Sequence, residues 1–393
     1  MLAALLAVAS FQPQLQAVGR GTPCLCATAA PGRDRLTAWA TLAPGQIVNT
    51  DEDGLAATES YASQFERLFG QPLRPTKAVA KPSSEAQRLE PSARRIPFSD
   101  VYGTLRTPTW RTIDWGRLSY FVIVHCAAAA AVFRMFTWRR LAFAYFWHVA
   151  SGLGITYSFH RQLSHRSFSS PKWLEYIGAY LGTLAAQGSP LSWVSDHRYH
   201  HLHTDTALDP HSTYEGFWWS HMGWVLETDQ HARRCPMTNV DDLKAQPFYR
   251  HLHKWLVWHL SGHLLMWFSL GFAWTGRPAV GVALVCWRLA AVVSMYHCTW
   301  LVNSAAHCWG SRDYRTGDQS RNNWWVGFLA YGEGWHNNHH AFPYSARHGL
   351  GRRQFDLTWM LVSTLERCGL VTDVKLPTEA AKRGLAIAPG AAS

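Results

Sequence analysis

Apolar and polar positions divide the chain into four hydrophobic runs, at 118–136, 141–159, 255–274 and 280–302, set among longer polar stretches. Each run is close to the roughly twenty residues that a helix needs to cross a bilayer core. Only the short segments 137–140 and 275–278 part the members of each pair, so the pattern predicts two transmembrane hairpins. An even number of spans then precedes each long polar segment, which puts 160–254 and everything after residue 307 on the same side of the membrane. Within the first of these, 173–184 has the one-sided apolar spacing of a helix that lies in the interface instead of crossing it. The expected fold is an all-α integral membrane protein with four transmembrane helices in two hairpins and a polar cap on one side. Its membrane domain covers 111–370, with the cap over 160–254 and 307–370.

The ends of the chain read differently. Residues 1–50 are rich in Ala, Thr and Leu, carry Arg20, Arg33 and Arg35, and contain a single acid, Asp34. That composition is similar to an organelle transit peptide. A secretory signal is the competing reading because 2–8 is apolar, but no positive stretch precedes it. Residues 51–110 are polar, dotted with Pro and mixed in charge, which predicts a linker or surface arm. A short amphipathic helix at 61–69 would gather Tyr61, Phe65, Leu68 and Phe69 on one face. Residues 371–393 read as a flexible tail.

Composition sharpens the membrane reading. The chain holds 21 Trp in 393 residues, and indole suits the headgroup level, where its apolar body and its N–H are both accommodated. The formal net charge of +11 favours an anionic lipid surface or an acidic partner protein. Nucleic acid is excluded as a partner, since Lys and Arg are scattered and no binding motif accompanies them. The eight cysteines form no regular framework, and the Cys24-Leu25-Cys26 pair lacks the partners of a zinc site, so a reducing compartment is expected.

The chemistry is carried by histidine. His160 and His165, His197-Arg198-Tyr199-His200-His201, and His336-Asn337-Asn338-His339-His340 each stand beside an apolar run or in the polar segment that follows one. Neutral imidazole is the commonest ligand for borderline first-row metals, and such spacings put two or three ring nitrogens on one side of a helical turn. One cluster would be weak evidence; three, all on one side of the membrane, predict a metal centre at its surface. His259 and His263, four apart on a span, could also grip a metal, but a hydrogen bond to a neighbouring helix is the commoner use of such a residue. His148, His211, His221, His297 and His348 stand outside the clusters.

These clusters, together with Asp209-Pro210-His211, Gly216-Phe217, Ser220-His221, the run Trp300 to His307 and Gly332-Glu333-Gly334-Trp335-His336, resemble the membrane fatty acid desaturase family in its delta-9-type branch. The likeness runs from about Trp115 to Trp359. It implies two non-haem irons as cofactors, with O2 as co-substrate. One iron would take His160, His165, His197, His201 and His339; the other would take His200, His307, His336 and His340, with Asn303 reaching it through a water. Trp300 would line the acyl channel. The chemistry agrees: taking hydrogen from an unactivated methylene demands a strong oxidant, and two irons can share the electrons that reduce dioxygen. Carboxylates would then fix the ring tautomers by accepting N–H bonds, and Asp196, Asp209, Asp313 and Glu333 are the candidates.

The resemblance also raises the questions of carrier and electron donor. Members that act on acyl-CoA place basic residues where this chain has Ser195, Thr228 and Asp229. Phosphate recognition needs cations, so an acyl chain esterified to a membrane glycerolipid is expected, with acyl-CoA as the alternative. Plant relatives of this kind include delta-7 enzymes acting on palmitoyl-galactolipid and delta-9 acyl-lipid enzymes. No fused His-Pro-Gly-Gly haem motif is present, so the donor is a separate protein, ferredoxin at a chloroplast membrane or cytochrome b5 at the endoplasmic reticulum. The rival readings are a membrane hydroxylase and a non-catalytic metal-binding membrane protein.

Overall fold

The computed structural model describes residues 47–50, 56–59, 112–206, 208–227 and 237–387. The amphipathic helix expected at 61–69, and Thr228 and Asp229, lie outside the described residues, as do most of the transit-like segment and the last residues of the tail. Apart from an antiparallel hairpin of β1 (Ile47–Thr50) and β2 (Ala56–Glu59) and isolated bridges between loops, the described chain is helical.

The hydrophobic runs form helices whose ends are written in the sequence. In α1 (Trp115–Arg134) the Asp114 side chain accepts from the Arg117 amide, satisfying one free donor of the first turn. Thr137 opens α2 (Trp138–Leu153) in the same way. After the polar cap segment, α5 (Leu256–Thr275) stops at Gly276 in the left-handed region, φ 67°, and α6 (Pro278–Asn303) starts with Pro at its first position. Those are the residues that end and begin helices at least cost. Helix α6 is the central one, packed against α1, α2 and α5.

Three helical runs, α1, α5 and Pro278–Cys308, are long and apolar enough to cross a membrane. The second expected span differs, because α2 covers only 16 residues before the chain widens into a π-helix over Gly154–Ser164. The reason lies in the first histidine cluster. His160 and His165 are five apart, and an α-helix would turn them about 140° from each other. In the π-form the His165 amide bonds back to the His160 carbonyl at 3.2 Å, and residues five apart come onto one face.

Two further helices complete the frame. α3 (Lys172–Thr183) is one-sided, with Trp173 and Ile177 exposed and Gly178, Ala179 and Gly182 buried. α4 (Pro190–His203) opens on a reciprocal capping box between Ser189 and Ser192. The non-helical backbone between α3 and α4 reaches in beside α6, and its polar groups are met there. The Leu184 carbonyl accepts from Arg288 and the Ala186 carbonyl from the Tyr296 hydroxyl at 2.8 Å. Irregular backbone at that depth persists only when so satisfied. Trp115 and Trp258 are exposed at one end of the bundle and Trp138 and Trp274 at the end with the tight turns, the arrangement of two interfacial belts.

Helix α3 and the π-helix meet so closely that a Cβ on Gly154 would lie 2.1 Å from the Gly182 amide nitrogen. Backbone cannot yield as a flexible side chain does. We therefore expect Gly154→Ala to destabilise the protein by about 1–3 kcal/mol or more, read as a lowered Tm in detergent. An unchanged Tm would show that this contact does not set the frame.

Candidate metal centre

Local helix geometry aims the histidines. On α4, His197, His200 and His201 are one helical turn apart and share a face. The same spacing recurs on α7 (His336–Ala341) with His336, His339 and His340. The π-helix contributes His160 and His165. His307 comes from a short helical turn, Ala305–Cys308, after α6 breaks at Ser304.

These nine side chains fall into two groups. His160, His165, His197, His201 and His339 offer nitrogens within 4.8 Å of one another, and so do His200, His307, His336 and His340. The contacts are made by Nε2. In the first group His165 and His197 are 2.8 Å apart, His339 and His201 2.9 Å, and His160 and His339 3.2 Å. In the second, His336 stands 3.1 Å from both His307 and His340. Nitrogens sharing a metal at about 2.1 Å and at right angles are roughly 3 Å apart, so the spacing suits ligands around two ions.

Carboxylates stand behind the rings. Glu333 Oε2 is 2.7 Å from His160 Nδ1, and Asp209 Oδ1 is 3.0 Å from His200 Nδ1. Asp205 and Asp318 serve His307 and His340 in the same way, at 3.0 and 2.9 Å. Each such contact puts the proton on Nδ1 and leaves the Nε2 lone pair facing inward. His200 Nε2 is accordingly buried with no hydrogen-bond partner among the described residues. Nine clustered imidazoles, four with the outer nitrogen fixed by a carboxylate, are a donor set for a borderline metal.

Sequence reasoning had named Asp209 and Glu333 but not Asp205 and Asp318, which reach their rings only through tertiary folding. Asp313 instead accepts from Ser311 and Asn322 at 3.2 and 2.9 Å. Asp196 lines a cavity beside His197, together with Trp193, Trp300 and Asn303. Ser195 is buried and donates to Asn239 Oδ1 at 2.8 Å. His263 accepts from Arg288 and Trp267, while His259 packs against His251 and Tyr180; neither joins the two groups.

Two buried arginines hold the clusters together. Arg161 bonds Glu333 and Asp356 at 2.9 Å each and the Ala346 carbonyl at 2.7 Å. Arg198 pairs with Asp242 at 2.8 Å and reaches back to the Leu163 carbonyl. Such pairs organise a site strongly because removing one partner strands a buried charge.

The electrostatics favour neutral rings at six of the nine, whereas at His307 the lowering by burial is outweighed by Asp205, which raises it above the usual range. Burial, then the crowding of neighbouring imidazoles, holds His165, His197, His200, His201, His336 and His339 well below the usual histidine range. Burial also pushes His211 down to about 3 and His348 to about 4. Glu333 is raised by burial, but Arg161, His348 and His160 outweigh this and hold it well below the carboxylate range.

Comparison with known proteins agrees with this geometry. A family model described as fatty acid desaturase matches residues 135–354. The chain is 45% identical over 313 residues to the chloroplastic palmitoyl-monogalactosyldiacylglycerol delta-7 desaturase of Arabidopsis thaliana, covering 77% of this chain and 82% of that one. It is 44% identical over 308 residues to delta-9 acyl-lipid desaturase 2 of the same plant, covering 78% and 95%. To the sn-1 stearoyl-lipid 9-desaturase of Anabaena variabilis it is 46% identical over 278 residues, covering 70% and 98%.

Removing the brace behind one group should empty that group selectively. Glu333→Gln is expected to weaken metal binding by about 10–100-fold in the five-histidine group, so that metal analysis at limiting metal finds about half the parent's content per chain; an unchanged content would contradict the brace.

The depressed histidines also set a pH dependence. Between the ordinary value near 6.5 and the lowered values of about 4 for His348 and 3 for His211, the unfolded chain binds protons that the fold refuses. Stability must therefore fall as pH drops through this window. The Tm of metal-free protein should decline from pH 6.5 toward 4, and a flat profile would contradict neutral rings.

Proposed function

The chain belongs to the fatty acid desaturase family, and we propose that it introduces a cis double bond, delta-9 or delta-7, into a saturated acyl chain carried by a membrane glycerolipid. The observation that carries this is the pair of histidine groups with their nitrogens turned inward. In this reading His160, His165, His197, His201 and His339 hold one non-haem iron. His200, His307, His336 and His340 hold the other, with Asn303 acting through a water. Bound there, the irons supply the oxidising power of dioxygen reduction that unactivated methylenes require.

The protein's part is to orient and to exclude. Asp205, Asp209, Asp318 and Glu333 keep protons on the outer ring nitrogens, so the inner ones stay free to bind metal. The acyl chain lies in the cavity of Trp193, Trp300 and Asn303 beside His197, whose aromatic walls bind by apolar contact and keep water out. In the membrane, α2 and its π-helical extension make a fourth span beside α1, α5 and α6, and the histidine-bearing segments form a cap on one face. That assignment divides the chain into a transit peptide at 1–50, an arm at 51–110, a membrane domain at 111–370 and a tail.

Several observations support the lipid carrier. Ser195 is buried where acyl-CoA enzymes use a cation, and the relatives are named for palmitoyl-galactolipid, acyl-lipid and stearoyl-lipid substrates. Two relatives are named chloroplastic, which together with the transit-like N-terminus favours a multi-pass chloroplast membrane protein. Electrons then come from ferredoxin, an acidic carrier suited to a chain of net charge +11.

The reading is tested by expressing the chain in a desaturase-deficient host, separating lipid classes and locating new double bonds. Cis-monounsaturated chains on a glycerolipid are expected; hydroxylated chains would overturn it. His200→Ala and His339→Ala should each abolish the product while the protein still enters the membrane fraction, and activity retained in either would overturn the ligand assignment.

A further inference from the structure

The short helix Trp324–Leu329 buries one side and leaves a strongly apolar side in the open. Val326 and Gly327 face inward, and Val326 packs with Ala330 against Val302, Ala305 and Ala306, where α6 ends. Outward stand Trp324, 71% exposed, Phe328, 64% exposed, and Leu329, 42% exposed. Phe355, itself 41% exposed, sets its ring 5.7 Å from that of Phe328 and extends the patch. An aromatic side chain presents about 150–250 Å2, so the four side chains together expose on the order of 400 Å2 of apolar surface. A patch of that size marks an interaction site.

Two arginines stand beside it. Arg352 and Arg353 are exposed in the turn that leads to Phe355, and among the described residues neither side chain has a hydrogen bond or an ion pair. The turn itself is pinned. Gln354 Oε1 accepts from Asn338, between His336 and His339, at 2.9 Å and from the Gly351 amide at 2.8 Å. The patch is tied to the same histidine cluster: the Asn323 amide donates to the Gly334 carbonyl at 2.7 Å, and the Trp335 indole donates to the Phe355 carbonyl at 2.7 Å. Its place along the bundle is also fixed. The run Pro278–Cys308 is long and apolar enough to cross a bilayer, and the patch helix packs on the end of that run. Trp115 and Trp258 are exposed at the same end of the bundle.

We propose that this surface is a lipid-binding seat: Arg352 and Arg353 hold anionic lipid headgroups, while Trp324, Phe328, Leu329 and Phe355 enter the boundary between headgroups and acyl chains. Aromatic rings settle at that depth, and arginine beside them meets phosphate. The partner is the bilayer and not an acidic protein, because the patch begins where a membrane-crossing run ends and its greater part is apolar. The seat holds the third histidine cluster at a set height above the membrane, through the bonds of Trp335, Asn323 and Gln354. The proposal rests on the membrane assignment of α6 and is independent of the reaction catalysed.

Depth is read from the fluorine signal of full-length protein carrying trifluoromethylphenylalanine in place of Phe328, reconstituted in lipid nanodiscs. A nitroxide on the lipid acyl chain should broaden the signal, and a water-soluble gadolinium chelate should not. Broadening by the chelate alone would overturn the proposal, and so would broadening by neither reagent, since a protein segment would then cover the patch. The headgroup contact is read by titrating full-length protein in detergent with phosphatidylglycerol under native mass spectrometry. Arg352→Gln combined with Arg353→Gln should weaken phosphatidylglycerol binding by about twenty-five-fold, about fivefold for each arginine near an anionic surface, and leave phosphatidylcholine binding unchanged. An unchanged affinity, or an equal loss for both lipids, would overturn the headgroup assignment. Displacement of the bound lipid by inorganic phosphate would overturn it too, by showing a site for free anions.

Discussion

Nine imidazoles pressed nitrogen against nitrogen can serve as ligands only while their inner nitrogens stay free of protons, and four of the rings are held from behind by a carboxylate. Most of the architecture around the two groups serves that constraint. Burial disfavours the protonated ring, and neighbouring imidazoles disfavour it further. Asp205, Asp209, Asp318 and Glu333 then choose the tautomer by accepting at Nδ1. The carboxylates are themselves tethered: Glu333 by Arg161, and Asp205 by the Gln319 amide at 2.8 Å. The ligand-bearing segments are thus linked to the bracing ones by charge-assisted bonds in a site that would otherwise be a pocket of lone pairs.

Much of this was legible in the sequence, and the reasons are local. The H-x-x-H-H spacing on α4 and α7 translates directly into one helical face. Asp114, Thr137 and Pro278 mark helix starts by chemistry that acts within a turn. The π-helix was not legible. Five-residue spacing between His160 and His165 conflicts with α-helical periodicity, and the resolution, a widened helix, depends on packing against α3 through Gly154 and Gly182. The same change of helix type shortened α2 below the length of its hydrophobic run.

Tertiary partners were the other blind spot. Asp205 lies in a loop after α4 and Asp318 in a loop after His307, and neither position has a spacing that announces a histidine 102 or 22 residues away. Asp313 looked equally suitable by residue type but spends its carboxylate on Ser311 and Asn322. Arg288, Tyr120 and Tyr296 stand inside apolar runs with no spacing that points to a partner. Folded, Arg288 and Tyr296 meet the freed carbonyls of the α3–α4 connection, and Tyr120 bonds the Tyr296 hydroxyl at 2.9 Å.

The most direct test of two metal sites built from nine histidines is anomalous diffraction at the iron edge from crystals of the iron-loaded protein. The account predicts two anomalous peaks, one enclosed by His160, His165, His197, His201 and His339 and the other by His200, His307, His336 and His340. A single peak, or one seated between Glu333 and His348, would contradict it.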